Sequence, residues 1–122
     1  MHTRYDSIQP YATKDGSEIR ELMHPSVHGN RNQSLAEATV SPGMQTVLHL
    51  HHRTEEIYYI THGAGLMTLG DEAFAVAVGD TVCIVPGTPH CIKNTSDAPL
   101  GEVTLKGIAQ PVPVFNITAF KS

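Results

Sequence analysis

From Gln33 onward the chain alternates short apolar runs with clusters of turn-forming residues. Met44 to His52, Glu55 to His62, Ala73 to Val78 and Thr81 to Val85 are rich in Val, Ile, Thr and Tyr, and none carries a helical stripe beyond about two turns. Between and after them stand Ser41-Pro42-Gly43, Gly63-Ala64-Gly65, Gly70-Asp71-Glu72, Gly79-Asp80, Pro86-Gly87-Thr88-Pro89 and Asp97-Ala98-Pro99. Short strands cut at such close intervals predict an all-β fold, a single antiparallel sandwich or barrel. Residues 1–32 are polar, with little periodicity beyond Glu18 to Met23, and read as an N-terminal arm with a possible edge strand. Residues 33–110 supply the barrel. Residues 111–122, opened by Pro111 and Pro113, read as a C-terminal tail or edge strand.

Alternation then assigns faces. In an extended run His49 and His51 point one way while Leu48, Leu50 and His52 point the other. Arg53-Thr54 predicts a turn that folds this strand onto the next, where Glu56, Tyr58, Ile60 and His62 share a face opposite to Glu55, Ile57 and Tyr59. A hairpin that buries the His49/His51 side brings Glu56 to it. Beyond the Pro86 to Pro89 turn, His90, Ile92 and Asn94 share a face, so His90 is a fourth candidate. Neutral imidazoles with one carboxylate make a nitrogen-oxygen donor set suited to one divalent Mn, Fe, Co, Ni, Cu or Zn ion and poor for Mg or Ca. Four ligands on a six-coordinate metal leave positions open for a small-molecule substrate.

Composition narrows the classes. A chain of 122 residues, 40% hydrophobic and 16% charged, suits one soluble globular domain. Lys and Arg number 8 against 12 Asp and Glu, a net −4 without a block of like charge, which speaks against a nucleic-acid partner. No apolar run approaches the ~20 residues of a membrane span, and the start, MHTRYDSIQP, lacks the features of a secretory signal. A cytoplasmic protein without a membrane partner is the expectation. Pairing Val85 with His90 across the turn would put Cys83 on the inner face and Cys91 on the outer one, so reduced thiols are expected.

Two motifs carry a resemblance. The first is Gly43-(5)-His49-Leu50-His51-(4)-Glu56-(6)-Gly63, and the second is Gly79-Asp80-(5)-Pro86-Gly87-(2)-His90-(3)-Asn94. Together they resemble the cupin superfamily of small β-barrels or jelly rolls, with Val85 standing where that pattern commonly has a proline. The resemblance implies that His49, His51, Glu56 and His90 bind the metal. Glu55 competes with Glu56, since the family tolerates a spacing one shorter, but the position of Gly63 favours Glu56.

Other candidates read as follows. Tyr58, two residues after Glu56, should project inward as a substrate-binding hydroxyl or, with its pKa lowered by the cation, a catalytic base; core packing is the competing role. His52 reads as a solvated turn residue, His62 as a rim group, and His24 and His28 as residues of an arm that could cover the pocket. Lys93 alternates outward and Arg53 lies in a turn, which disfavours a phosphosugar isomerase, while Lys106 and Arg31 have no placement from the pattern. The expected function is a small metalloenzyme with dioxygenase-type or lyase/isomerase-type chemistry on an oxygen-bearing substrate. The alternative is a non-catalytic cupin that binds a small, sugar-like molecule. Sheet edges left by the arm and tail predict a homodimer.

Overall fold

The computed structural model describes residues 1–108; the expected tail or edge strand at 111–122 lies outside the described residues. Among the described residues nine strands account for nearly all regular structure: β1 (Tyr11–Ala12), β2 (Ser17–Met23), β3 (Gln33–Val40), β4 (Thr54–His62), β5 (Ala64–Leu69), β6 (Glu72–Ala77), β7 (Thr81–Ile84), β8 (His90–Asn94) and β9 (Leu100–Ile108). A short 3-10 turn, Tyr5–Ser7, and one helical turn, α1 (Pro25–His28), are the helical elements among the described residues. The strands form a six-stranded sheet ordered β1-β2-β3-β9-β4-β7 and a three-stranded sheet ordered β6-β5-β8. All pairings are antiparallel, as the turn chemistry requires. No described helix is long and apolar enough to cross a membrane.

The two sheets meet over an apolar cluster of Val40, Tyr58, Ile60, Met67, Val76, Val82, Ile84, Ile92 and Leu100. Alternation produces this core directly: Tyr58 and Ile60 point inward from β4, Val82 and Ile84 from β7, and Ile92 from β8. The β4–β5 corner turns on Gly63, whose φ is +77° and where a Cβ would lie 2.7 Å from the Pro99 carbonyl oxygen. Only glycine meets both demands without strain.

Two expectations need correction. The segment Met44 to His52 is not a strand hairpinned to β4; it runs beside β8, touching it at the isolated bridges Gln45–Lys93 and His49–His90. Main-chain bonds tie it there, among them Asn94 N to the Met44 carbonyl at 2.9 Å and Thr46 N to the Ile92 carbonyl at 3.0 Å, while side chains take two more amides: Ile92 N donates to Thr46 Oγ1 and Val47 N to Asp15 Oδ2, each at 3.0 Å. β4 pairs instead with β7 and β9. The cysteines are also placed differently, because β7 lies opposite β4 in a register that turns Val82 and Ile84 inward and leaves Cys83 exposed. Cys91 is buried under Gln45, whose Nε2 donates to its Sγ at 3.3 Å, and both thiols are free. The strand suspected near Glu18 to Met23 is β2, paired along its length with β3 inside the larger sheet.

Candidate metal centre

β8 and the segment before β4 are brought together by the His49–His90 bridge, while β4 carries Glu56 beside them. One ligand atom from each of His49, His51, Glu56 and His90 lies within 4.8 Å of the others. His90 and Glu56 are buried at 0% and 1% exposure, whereas His49 and His51 are half-buried. Glu55 points to the other face of β4 and is not in the group.

The imidazoles are oriented by backbone carbonyls. His49 Nδ1–H donates to the Val47 carbonyl at 2.6 Å and His90 Nδ1–H donates to the Thr88 carbonyl at 2.9 Å, which leaves each Nε2 free to face the carboxylate. His51 Nε2 and His90 Nε2 stand 2.6 and 3.6 Å from Glu56 Oε1. Yet these nitrogens and both Glu56 oxygens are buried without a partner in hydrogen-bonding geometry. Buried polar atoms that converge unsatisfied are costly unless something binds them. A divalent cation fits this donor set in number, element and convergence.

The ionisation pattern agrees at His51 and Glu56, whereas His90 is held toward its protonated form and would have to give up that proton to coordinate. Burial lowers the pKa of His51 against the pull of Glu56, favouring the neutral imidazole that coordinates. Burial would raise Glu56, but His90, Lys106 and His51 outweigh it and hold the carboxyl below its usual range. At His90 burial is likewise outweighed, by Glu56 and the Thr88 carbonyl, and its pKa is raised.

Beside His49 and Glu56 lies a cavity of about 260 Å³. It is smaller than a drug-sized pocket and has room only for a small molecule. Tyr58 lines it, 6.0 Å from the His90 ring in an edge-on arrangement. Burial, then the charges of Glu102 and Glu56, push the Tyr58 hydroxyl far above its ordinary pKa. With no cation bound, that hydroxyl is a proton donor and not a base.

Several residues gave no sequence signal as site residues. Glu102, Thr104 and Lys106 project from β9 into the same cavity, and Asp15 and Ser17 line it from the other side. Burial, with the Glu56 charge adding to it, pushes the Glu102 carboxyl up to about 8, against the Thr104 hydroxyl and Lys106. Asp15 is held at about 2; hydrogen bonds from Thr13, Ser17 and the Val47 amide outweigh its desolvation. Lys106 also borders a second recess of about 310 Å³, together with His51, His24 and Arg31. The inward Lys106 removes part of the objection to an anionic substrate.

The remaining histidines stand apart. His52 is exposed, as expected. A register shift between Ile60 and His62 breaks the alternation, so His62 is exposed and bonded to Thr61 Oγ1 at 3.1 Å, away from the four ligands. His24 caps α1 by accepting from Ser26 N, and His28 Nδ1 accepts from His24 N; His24 borders only the outer recess.

Comparison with known proteins adds context. The family described as "Cupin domain" matches residues 36–104. An uncharacterized protein of Methanocaldococcus jannaschii is 57% identical over 100 residues, 82% of this chain and 80% of its own length. An oxalate-binding protein of Thermotoga maritima is 29% identical over 83 residues, covering 68% of this chain and 69% of its own. The crystal structure of a predicted oxalate decarboxylase, also from Thermotoga maritima, superposes with a TM-score of 0.79 at 24% identity, over 88% of this chain and 99% of that one.

Proposed function

The chain belongs to the cupin family, and from that premise we propose that His49, His51, Glu56 and His90 bind one divalent transition metal at which a small oxygen-bearing substrate is processed. The observation that carries the reading is the convergence of four ligand groups within 4.8 Å of one another, three of them (His51, Glu56 and His90) with buried unsatisfied atoms, on the edge of a small cavity. A bound cation would polarise substrate oxygens and favour their deprotonated forms. The protein's own groups then hold and move protons: Tyr58 donates a hydrogen bond into the cavity, Lys106 supplies positive charge beside Glu56, and Glu102 closes the far end.

Proton-bearing side chains along one wall favour lyase or isomerase chemistry over dioxygenation, since proton transfer is what such groups supply. A non-catalytic binding role is the second reading, supported by the similarity to an oxalate-binding protein. The reading includes a homodimer, because Met44, Val47, Leu48 and Leu50 are exposed on the segment that carries His49, an apolar face that a second copy would cover.

Elemental analysis of protein purified without added metal, compared with His51→Ala, tests the centre. One equivalent in the parent and strong loss in the variant is expected; equal content in both, or none in either after reloading, would end the proposal. A screen of small hydroxy and oxo acids for turnover or mere retention by the metal-loaded protein separates enzyme from binding module. Light scattering showing a monomer at micromolar concentration would remove the dimer.

A further inference from the structure

β9 lies between β3 and β4 and turns Glu102, Thr104 and Lys106 toward the cavity. Exposure falls along this row. Lys106 is half-buried, Thr104 is 6% exposed and Glu102 is 3% exposed, so Lys106 stands at the open end and Glu102 at the closed end. Lys106 is also directly across from Glu56, which puts the open end beside the four ligands.

The register gives Glu102 no polar cross-strand partner; Thr104, two residues along the same strand, is the polar group that acts on its carboxyl. Its cross-strand neighbours are Ala38 on β3 and Ile60 on β4, neither with a polar side-chain atom. Its Oε2 is buried and has no hydrogen-bond partner among the described residues. Such an atom is costly to leave unsatisfied, and neither the core nor the ligand set uses it.

We propose that Glu102 determines specificity: its carboxyl hydrogen-bonds an uncharged oxygen at the far end of the substrate while Lys106 pairs with an anionic group near the metal. The substrate class is then a hydroxy or oxo acid long enough to reach between them. This rests on reading the cavity as the substrate site of the metal centre. Four residues of strand separate Glu102 from Lys106, about 13 Å at ~3.3 Å per residue, beyond the span of a two-carbon acid held at the open end. The far end must be uncharged. Asp15, Glu21 and Glu56 also line the cavity and Lys106 lies at the other end, so a second carboxylate at Glu102 would be buried among acids without a cation. Held up to about 8 by burial, Glu102 keeps its proton at neutral pH and presents an O–H donor.

Three probes of equal chain length isolate the far end: 6-hydroxyhexanoate, hexanoate and adipate, which end in a hydroxyl, a methyl and a second carboxylate. Calorimetry on the intact protein, with metal content measured on the same samples, should show 6-hydroxyhexanoate binding about tenfold or more tightly than either of the others. In Glu102→Leu, with metal content unchanged, the preference over hexanoate should shrink to within about threefold. Equal affinity for the hydroxyl and methyl probes in the parent, a preference that survives Glu102→Leu, or failure of all three to bind would each overturn the proposal. Should Glu102→Leu not fold, Glu102→Gln takes its place: its amide still donates, so the preference over hexanoate should stay within about threefold of the parent's, and loss of the preference there overturns the proposal. A hydroxyl preference in protein that binds no metal would sink the metal reading and leave the role of Glu102 standing. A metal-loaded protein without the preference does the reverse.

Discussion

His49 and His90 are bonded to each other through their backbones twice: His49 N donates to the His90 carbonyl at 3.1 Å, and His90 N to the His49 carbonyl at 2.8 Å. Two candidate ligands far apart in sequence are thus set side by side by main-chain groups that a side-chain substitution leaves in place. His49→Ala should therefore lower metal affinity more than ~100-fold, above the range for losing an outer partner, while the metal-free variant melts close to the metal-free parent. A large drop in metal-free melting temperature would show that the imidazole itself holds the segment.

Asp15 holds the other side of that segment, accepting from Val47 N, and the Val47 carbonyl in turn accepts from His49 Nδ1–H. Asp15→Ala should weaken metal binding by roughly 10- to 100-fold without touching a ligand, as outer hydrogen bonds do at metal sites. Unchanged affinity in a chelator competition would break the link. The sign with pH follows from its depressed pKa: the support is complete above the ordinary carboxylate value and fades as pH falls toward about 2.

Tyr58 is both core and cavity wall. If its hydroxyl serves the reaction, Tyr58→Phe should reduce kcat by about 100-fold with metal content unchanged, the scale of a lost general acid. A fall of less than about threefold on an identified substrate would assign Tyr58 to packing.

Glu102 gives a stability signature of its own. Its folded pKa of about 8 lies above the ordinary 4.5, so between those values the folded chain holds a proton that the unfolded chain has released. Folding stability contributed by this group therefore falls as pH rises through that window. Metal-free parent protein should lose melting temperature relative to Glu102→Gln between about pH 5 and 8. Parallel curves would mean that Glu102 ionises like an exposed acid.

The strand content was legible because it rests on local rules, whereas the grouping of His49, His51, Glu56 and His90 was implied by the motif resemblance, since the hairpin that would have carried Glu56 to the histidines does not form. Turn residues mark the strand ends, and His90 faces the same way as Ile92 and Asn94 by alternation alone. What escaped depends on pairing at a distance. Glu102, Thr104 and Lys106 alternate with Val103 and Leu105, a pattern that ordinarily turns polar groups to water. Here the polar row faces the cavity, because β9 is inserted between β3 and β4, and no local signal announces that insertion. The hairpin expected at Arg53-Thr54 failed for a related reason: the segment gives its main-chain bonds to the distant β8, as in Thr46 N to the Ile92 carbonyl and the reciprocal His49–His90 pair, and β4 pairs with β7 and β9. Period-2 polarity near the end of an all-β chain was the available signal, and by itself it does not distinguish solvent from cavity.

The central place of β9 also dictates how the molecule can be assembled. β3 and β4 flank it and do not pair with each other, so the larger sheet stays split until the last described strand has been synthesised. On a ribosome, the first hundred or so residues would wait with two open edges, vulnerable to pairing with another nascent chain. Closure then joins segments distant in sequence, the slow kind of step in β proteins. The strand that supplies the wall of the cavity is thus also the one that completes folding, and a chain cut short before Leu100 would lose both together.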